Sequence, residues 1–311
     1  MLRAHSPAIV WLAPLLLVLG GCQSLASLQQ RNPSAALAPE AHTLTLIVSE
    51  LQMHVHDDTY RTSRAVTAAG RDVFDMSLWR IERAQERRSR NPEQWENVDI
   101  VLAYARARAL ERLRRYGEAW EAYERVADAG SLLAEPATKA GDVMRRFARY
   151  AGGSGDPAGG TEAELAHLDG RIKRWRELAW ESHGTSYQVL ALEEAEAWEM
   201  LRVDWVEGNG EIQAALTACR RLVERNHQSK LYAKHLIRLG DLYAEAARRE
   251  RLRSRAKLAP LDAGRYEGFL DHAFSAYELA GEERKAGPRR EAQLKIEALL
   301  AVHGGAFGHA Q

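Results

Sequence analysis

The chain has 311 residues, 43 Lys plus Arg set against 43 Asp plus Glu, and two cysteines. A formal net charge of zero argues against nucleic acid as the main partner, because neutralising phosphates takes an excess of Lys and Arg. The 46% of hydrophobic residues is enough for one large core or two ordinary ones. Ala, Arg, Glu and Leu dominate while β-branched and aromatic residues are sparse, so the composition predicts an all-α chain.

Met1 to His5 carry one cationic side chain, Arg3, and the run from Pro7 to Leu19 behind them is apolar. At about 13 residues it falls short of the roughly 20 that a helix needs to span a bilayer, and it reads as the apolar region of a signal peptide. It ends in Leu19-Gly20-Gly21-Cys22. This string resembles the lipobox of bacterial lipoproteins, in which an aliphatic residue and two small ones precede the cysteine that takes diacylglycerol and becomes the mature N-terminus. The resemblance implies a signal peptide over 1–21, lipidation at Cys22 and attachment to a membrane through palmitate-like chains. At about 0.8 kcal/mol per buried CH₂, two or three such chains suffice as an anchor. Gln23 stands where members retained in the inner membrane usually carry Asp, which implies the outer membrane, facing the periplasm.

Residues 22–40 are small and polar, with Pro33 and Pro39, and read as a flexible tether that extends up to about 60 Å at roughly 3.3 Å per residue. With Cys22 acylated, Cys219 is the one thiol left, so no intrachain disulfide forms and packing alone holds the fold. Its place in a helical stretch makes it a small core residue rather than a nucleophile.

The 3.6-residue period predicts eleven helical segments, at 42–56, 70–89, 95–114, 117–129, 133–150, 162–181, 186–206, 210–226, 230–252, 264–281 and 288–302. Asn91-Pro92, Gly117, Gly130, Gly184, Gly208-Asn209-Gly210 and Gly287-Pro288 punctuate them. Within 41–56, Thr43, Thr45, Ile47 and Val48 would also suit a strand. The run AGGSGDPAGG over 151–160 is a Gly-rich loop or a linker between two sets of helical hairpins, 41–150 and 161–302. Residues 303–311 read as a disordered tail.

Ala107 and Leu110 lie on one predicted helix, and Ala119, Tyr123 and Val126 follow on the next. Leu236, Leu239, Gly240 and Tyr243 precede Ala273, Tyr277 and Ala280 in the same way. These offsets resemble the tetratricopeptide repeat, whose first helix offers a small residue to a small residue and an aromatic of the second. Gly141 follows Ala107 by about 34 residues, the length of one such repeat. A looser copy holds Trp198, Leu201 and Trp205 before Ala214 and Ala218. The resemblance implies a helical-hairpin solenoid in which Ala107, Ala119, Tyr123, Gly141, Gly240, Tyr243, Ala273 and Tyr277 make the inter-helix contacts. The copies are degenerate, with drifting spacing and no proline after the second helix, so a non-repetitive helical bundle is the alternative.

Candidate chemistry is thin. His54, Val55, His56, Asp57 and Asp58 superficially resemble the His-x-His-x-Asp-His signature of metallo-β-lactamase-like hydrolases, but Thr59 takes the last His position and the helix-rich chain lacks that family's sandwich. Two histidines two residues apart face different sides of a helix, so a surface or capping role is expected and no metal. Glu181-Ser182 resembles the catalytic pair of lytic transglycosylases, with no further motif of that family behind it. The basic runs 83–90 and 248–257 alternate with or adjoin acidic residues and read as solvated helix faces, or as contacts to anionic headgroups or an acidic partner. Seven tryptophans follow the signal segment, mostly at helical spacing, and one or two of them are candidates for lining a peptide groove.

The expected function is a membrane-anchored scaffold that binds envelope proteins or peptides, with no catalytic residues, cofactor or nucleic acid. It would serve envelope assembly, secretion or cell-wall coordination. The alternative is an enzyme acting on peptidoglycan, or the regulator of one.

Overall fold

The computed structural model describes residues 39–62, 65–89, 98–152, 160–256, 260–283 and 286–307. The described residues form eleven α-helices: α1 (Pro39–Asp57), α2 (Val73–Ser89), α3 (Val98–Arg112), α4 (Tyr116–Asp128), α5 (Ala134–Gly152), α6 (Thr161–Glu181), α7 (Ser186–Gly208), α8 (Ile212–Arg225), α9 (Tyr232–Arg255), α10 (Ala263–Gly281) and α11 (Ala286–Phe307). The chain is all-α; extended pairing among the described residues is confined to one isolated bridge, Val66 with Asp72. No described helix is long and apolar enough to cross a membrane. The lipobox with Cys22, nearly all of the tether, Trp95 and the centre of the Gly-rich run lie outside the described residues.

Local chemistry explains where the elements begin and end. The segment that would also suit a strand is α1, because Leu44, Ile47, Leu51 and Val55 are spaced three and four apart and all bury on one face. Gly287-Pro288, expected as a break, lies inside the first turn of α11. A proline is accommodated there because the first-turn N–H groups have no intrahelical acceptor. At its other end α11 runs past the expected limit to Phe307, so residues 303–307, expected in a disordered tail, are helical; 308–311 lie outside the described residues. His303 is buried and its Nδ1 lies 2.5 Å from the Tyr266 hydroxyl of α10, an anchor that carries the helix onward.

Each helix packs on its neighbours in the chain; α1 also touches α3, and α9 touches α11. The α5–α6 contact, across the Gly-rich run, is the thinnest of these neighbouring pairs. Side chains at the predicted contact positions meet as follows. Tyr123 is fully buried and a Cβ built on Gly141 would lie 3.4 Å from its Cβ. The Tyr277 ring lies against Gly240 so closely that a Cβ there would stand 2.7 and 2.8 Å from Cδ1 and Cζ. Ala107, Ala119 and Ala273 are fully buried, and Tyr243 is buried against the rings of His272 and Phe269.

The apolar interior falls into two main clusters. One runs from Leu44 to Ala195 and the other from Val203 to Ala292. Helix α7 contributes to both, through Leu190, Ala191 and Ala195 to the first and Val203 and Val206 to the second. Between and beside these contributions α7 carries three buried carboxylates, Glu193, Glu196 and Glu199.

Candidate functional site

From Ser186 to Leu201 the sequence of α7 holds four glutamates and no Lys or Arg. No cation one turn away neutralises them within this stretch, so their partners come from other elements. Glu193, Glu196 and Glu199 are spaced three apart, which sets them along one flank of the helix.

Glu193 is paired with Lys230, on the α8–α9 turn, and with Arg114 Nη2 at 3.1 Å. Glu196 Oε1 lies 2.6 Å from His235 Nε2 of α9, and both residues are buried. Glu199 accepts from Arg176 of α6 at 2.8 and 3.0 Å and from Asn226 Nδ2 at 2.8 Å, with Arg225 at 3.4 Å. The network extends toward the N-terminus through Lys230 to Asp58, whose second oxygen takes Arg112 at 3.2 Å. Arg112 stands 3.6 Å from Glu111, which in turn accepts from Arg108 and from the Tyr123 hydroxyl, each at 2.7 Å. A carboxylate buried without partners is prohibitively costly, so this number of cations around α7 is a condition of the fold.

Arg114 is a special case. It has φ +62° and is the one non-glycine residue with positive φ among the described residues. It follows α3 in a turn where its N–H donates to Glu111 and that of Arg115 to Leu110, the pattern that normally selects glycine. The strained backbone places its guanidinium between Glu193 and Glu194.

Burial, and then the neighbouring carboxylate, pushes the phenols of Tyr116 and Tyr123 well above their ordinary range; Glu194 acts on the first and Glu111 on the second. Tyr60 is raised in the same way by burial and then by Glu196. Burial works against the charge of Arg108, but Glu111 and the surrounding oxygens hold its pKa well above the ordinary value. Throughout the physiological range the phenols therefore stay protonated and donate, Tyr116 to Glu194, Tyr123 to Glu111 and Tyr60 to Asn226, and Arg108 stays charged beside Glu111.

An open groove of about 620 Å³ runs along α6 and is floored partly by this network, since Arg176 and Arg225 line it and both reach Glu199. Its wall carries Ile172, Lys173 and Trp180. Trp180 is 81% exposed, with His183 stacked on it at 6.3 Å between ring centroids. Glu181, at the same rim, is half exposed and bonded to Arg146 of α5 at 2.7 Å, while Ser182 caps the helix through its N–H to Leu178. A second groove of about 440 Å³, between α2, α3 and α4, is lined by paired charges such as Glu82 and Arg106.

The remaining sequence candidates are dispersed. His54 faces Phe74 and Glu50, His56 and Asp57 are exposed, and Asp58 turns inward to Arg112 and Lys230. Cys219 is buried with its thiol pushed up to about 12 by burial. In the second basic run Arg248 and Arg249 pair with Glu245, and Arg253 with Glu250. In the first, Arg83 lies over the ring of Trp79. The interior network joins residues from several separate segments of the sequence, and the cation-free stretch of α7 is the sequence signal that points to it. No protein-family model, curated protein or solved structure matches this chain.

Proposed function

We propose that this chain is a tetratricopeptide-like helical-hairpin scaffold, tethered to a bacterial envelope membrane through lipidated Cys22 and facing the periplasm, that holds protein or peptide partners on its helical surface. Its work would lie in envelope assembly, secretion or cell-wall coordination. Three features support the reading: the succession of helices packed on chain neighbours, the aromatic-on-glycine contact of Tyr277 with Gly240, and above all the exposed indole of Trp180. Leaving most of an indole in water forgoes about 2 kcal/mol of burial. Beside a groove, that area is available to a ligand, and aromatic anchors of this kind carry much of the energy at interfaces.

A peptidoglycan-cleaving role for Glu181 draws no support from its surroundings. A general acid works from a desolvating cleft, whereas Glu181 is half exposed and occupied by Arg146.

The test uses the native, anchored chain with Trp180 kept and a photo-crosslinking residue at Lys173, which lines the same groove, and at Lys139, an exposed residue of α5, as the control. The reading expects a discrete protein adduct from position 173 that competition with unlabelled parent removes but the Trp180→Ala variant does not. Identical adducts from both positions would count against the groove, and unchanged membrane attachment of Cys22→Ser would remove the lipoprotein assignment.

A further inference from the structure

The connection between α1 and α2 is largely exposed, yet its first residues leave their own hairpin and cross to the turn between α8 and α9. Asp58 sits between Arg112 Nη1 at 3.2 Å and Lys230 Nζ at 2.9 Å. The backbone N–H of Lys230 donates to the carbonyl of Tyr60 at 2.7 Å. The Tyr60 hydroxyl donates to Asn226 Oδ1 at 2.8 Å, and Arg61 Nη2 donates to Gln228 Oε1 at 2.5 Å. A main-chain bond flanked by sockets for side chains two residues apart is how a folded surface takes up a peptide segment.

The sockets are supported independently of their occupant. Asn226 is held by its own Nδ2 bonds to Glu199 and to the Leu222 carbonyl, which turns Oδ1 toward the phenol. Lys230 is also paired with Glu193, and Arg112 stands beside Glu111. A site whose donors and acceptors are positioned by a second set of partners is pre-organised for a ligand of the same shape.

We propose that Asn226 to Lys230, together with Arg112, form a recognition site for a peptide segment bearing a carboxylate and, two residues on, a tyrosine. In this chain Asp58 to Arg61 fill it in cis, and a partner segment of that chemistry takes their place. The site adjoins the groove at Trp180, since Arg176 of that groove also donates to Asn226 Oδ1 at 3.2 Å, but its two sockets are defined by Asp58 and Tyr60 and not by what the groove binds. Because the cis segment is tethered, it competes at high effective concentration and masks the site from weak ligands.

The experiment compares the full chain with its Asp58→Ala/Tyr60→Ala variant, which empties both sockets, using the fluorescein-labelled peptide HDDTYRT, which copies residues 56–62, as the probe. Fluorescence anisotropy is expected to show the variant binding at least about tenfold more tightly than the parent, whose own segment competes. Peptides with the second Asp changed to Asn, or Tyr changed to Phe, are expected to lose that gain. Hydrogen exchange at the Lys230 amide reports whether the site has opened. Faster exchange without peptide binding overturns recognition; exchange as slow as in the parent overturns the claim that the segment covers the turn. If the double variant loses its helical circular dichroism, Tyr60→Phe takes its place, and peptide affinity equal to that of the parent overturns the proposal.

Discussion

Lys230 Nζ lies 2.9 Å from Asp58 Oδ1, joining side chains 172 positions apart inside the fold. Stacked helical hairpins ordinarily contact only their neighbours, which makes their stability a sum of local terms. This bond, with the Glu193 pair on the same ammonium, couples the α1–α2 connection and α7 to the turn between α8 and α9. Lys230→Met is therefore expected to destabilise the chain by about 1.5–3 kcal/mol, the usual cost of losing a charged hydrogen bond, because Asp58 keeps Arg112 and Glu193 keeps Arg114. Urea denaturation checks it. Asp58→Asn/Lys230→Met should recover part of the loss, and a loss under 1 kcal/mol, on the order of a surface pair, would show that the pair is not acting as a buried one.

The strain at Arg114 gives a second expectation. Arg114→Ala and Arg114→Gly both remove the guanidinium from Glu193 and Glu194, at about 1.5–3 kcal/mol for charged hydrogen bonds. Glycine also relieves the left-handed backbone, so it should be the more stable of the two by about 1 kcal/mol. Equal melting of the two variants would mean that the turn relaxes once the side chain is gone.

How much of this was legible follows from the range of the interactions. Helical periodicity is local, and segments such as 162–181 coincide closely with α6 (Thr161–Glu181). The placement of Gly240 under an aromatic was also legible, because a small residue one helix away from a tyrosine has few other uses. The ion network was not. Asp58, Tyr60, Asn226 and Lys230 are unremarkable residues of two turns, and only the folded chain brings them together. In sequence α7 showed acids without bases, but nothing there named Arg112, Arg114, Arg176, Lys230 or His235 as their partners. Trp180 illustrates the same limit: at helical spacing it looks like a core residue, yet in the fold it is 81% exposed at the rim of a groove.

Gly240 and Tyr277 supply a packing test. A methyl group at 240 would overlap three ring atoms of Tyr277, whose hydroxyl is held by Asp241 at 2.7 Å, so the ring cannot swing aside without losing that bond. Gly240→Ala should cost about 1–3 kcal/mol even though alanine favours a helix. In Tyr277→Ala the ring is gone and the same Gly240→Ala change should be neutral or stabilising. A double-mutant cycle by chemical denaturation measures the difference, and strictly additive effects would show that the contact is not the source of the cost.

Cys219 should be inert. Burial pushes its thiol up to about 12, leaving almost no thiolate at pH 8. In a Cys22→Ser background, a maleimide is expected to label the chain only after denaturant is added. Stoichiometric labelling of the native protein within minutes would mean that the α8–α9 interface opens readily.

His303 introduces a pH dependence at the C-terminal end. Burial, and then Arg251, hold its pKa below the ordinary value, and its Nδ1 faces the Tyr266 hydroxyl. In the neutral form Nδ1 accepts that hydrogen; protonation removes the acceptor and leaves a buried cation. The unfolded chain, with an ordinary histidine pKa of about 6.5, thus binds this proton more readily than the folded one. Stability from this group is complete above about pH 6.5 and is lost as pH falls from there through the depressed folded value. The expected readout is a steeper fall in melting temperature from pH 7 to 5 for the parent than for His303→Gln, together with faster hydrogen exchange in the last turns of α11 at the acid end. Other groups titrate in both proteins, so the difference between the two curves isolates His303, and parallel curves would show that its protonation is not linked to folding.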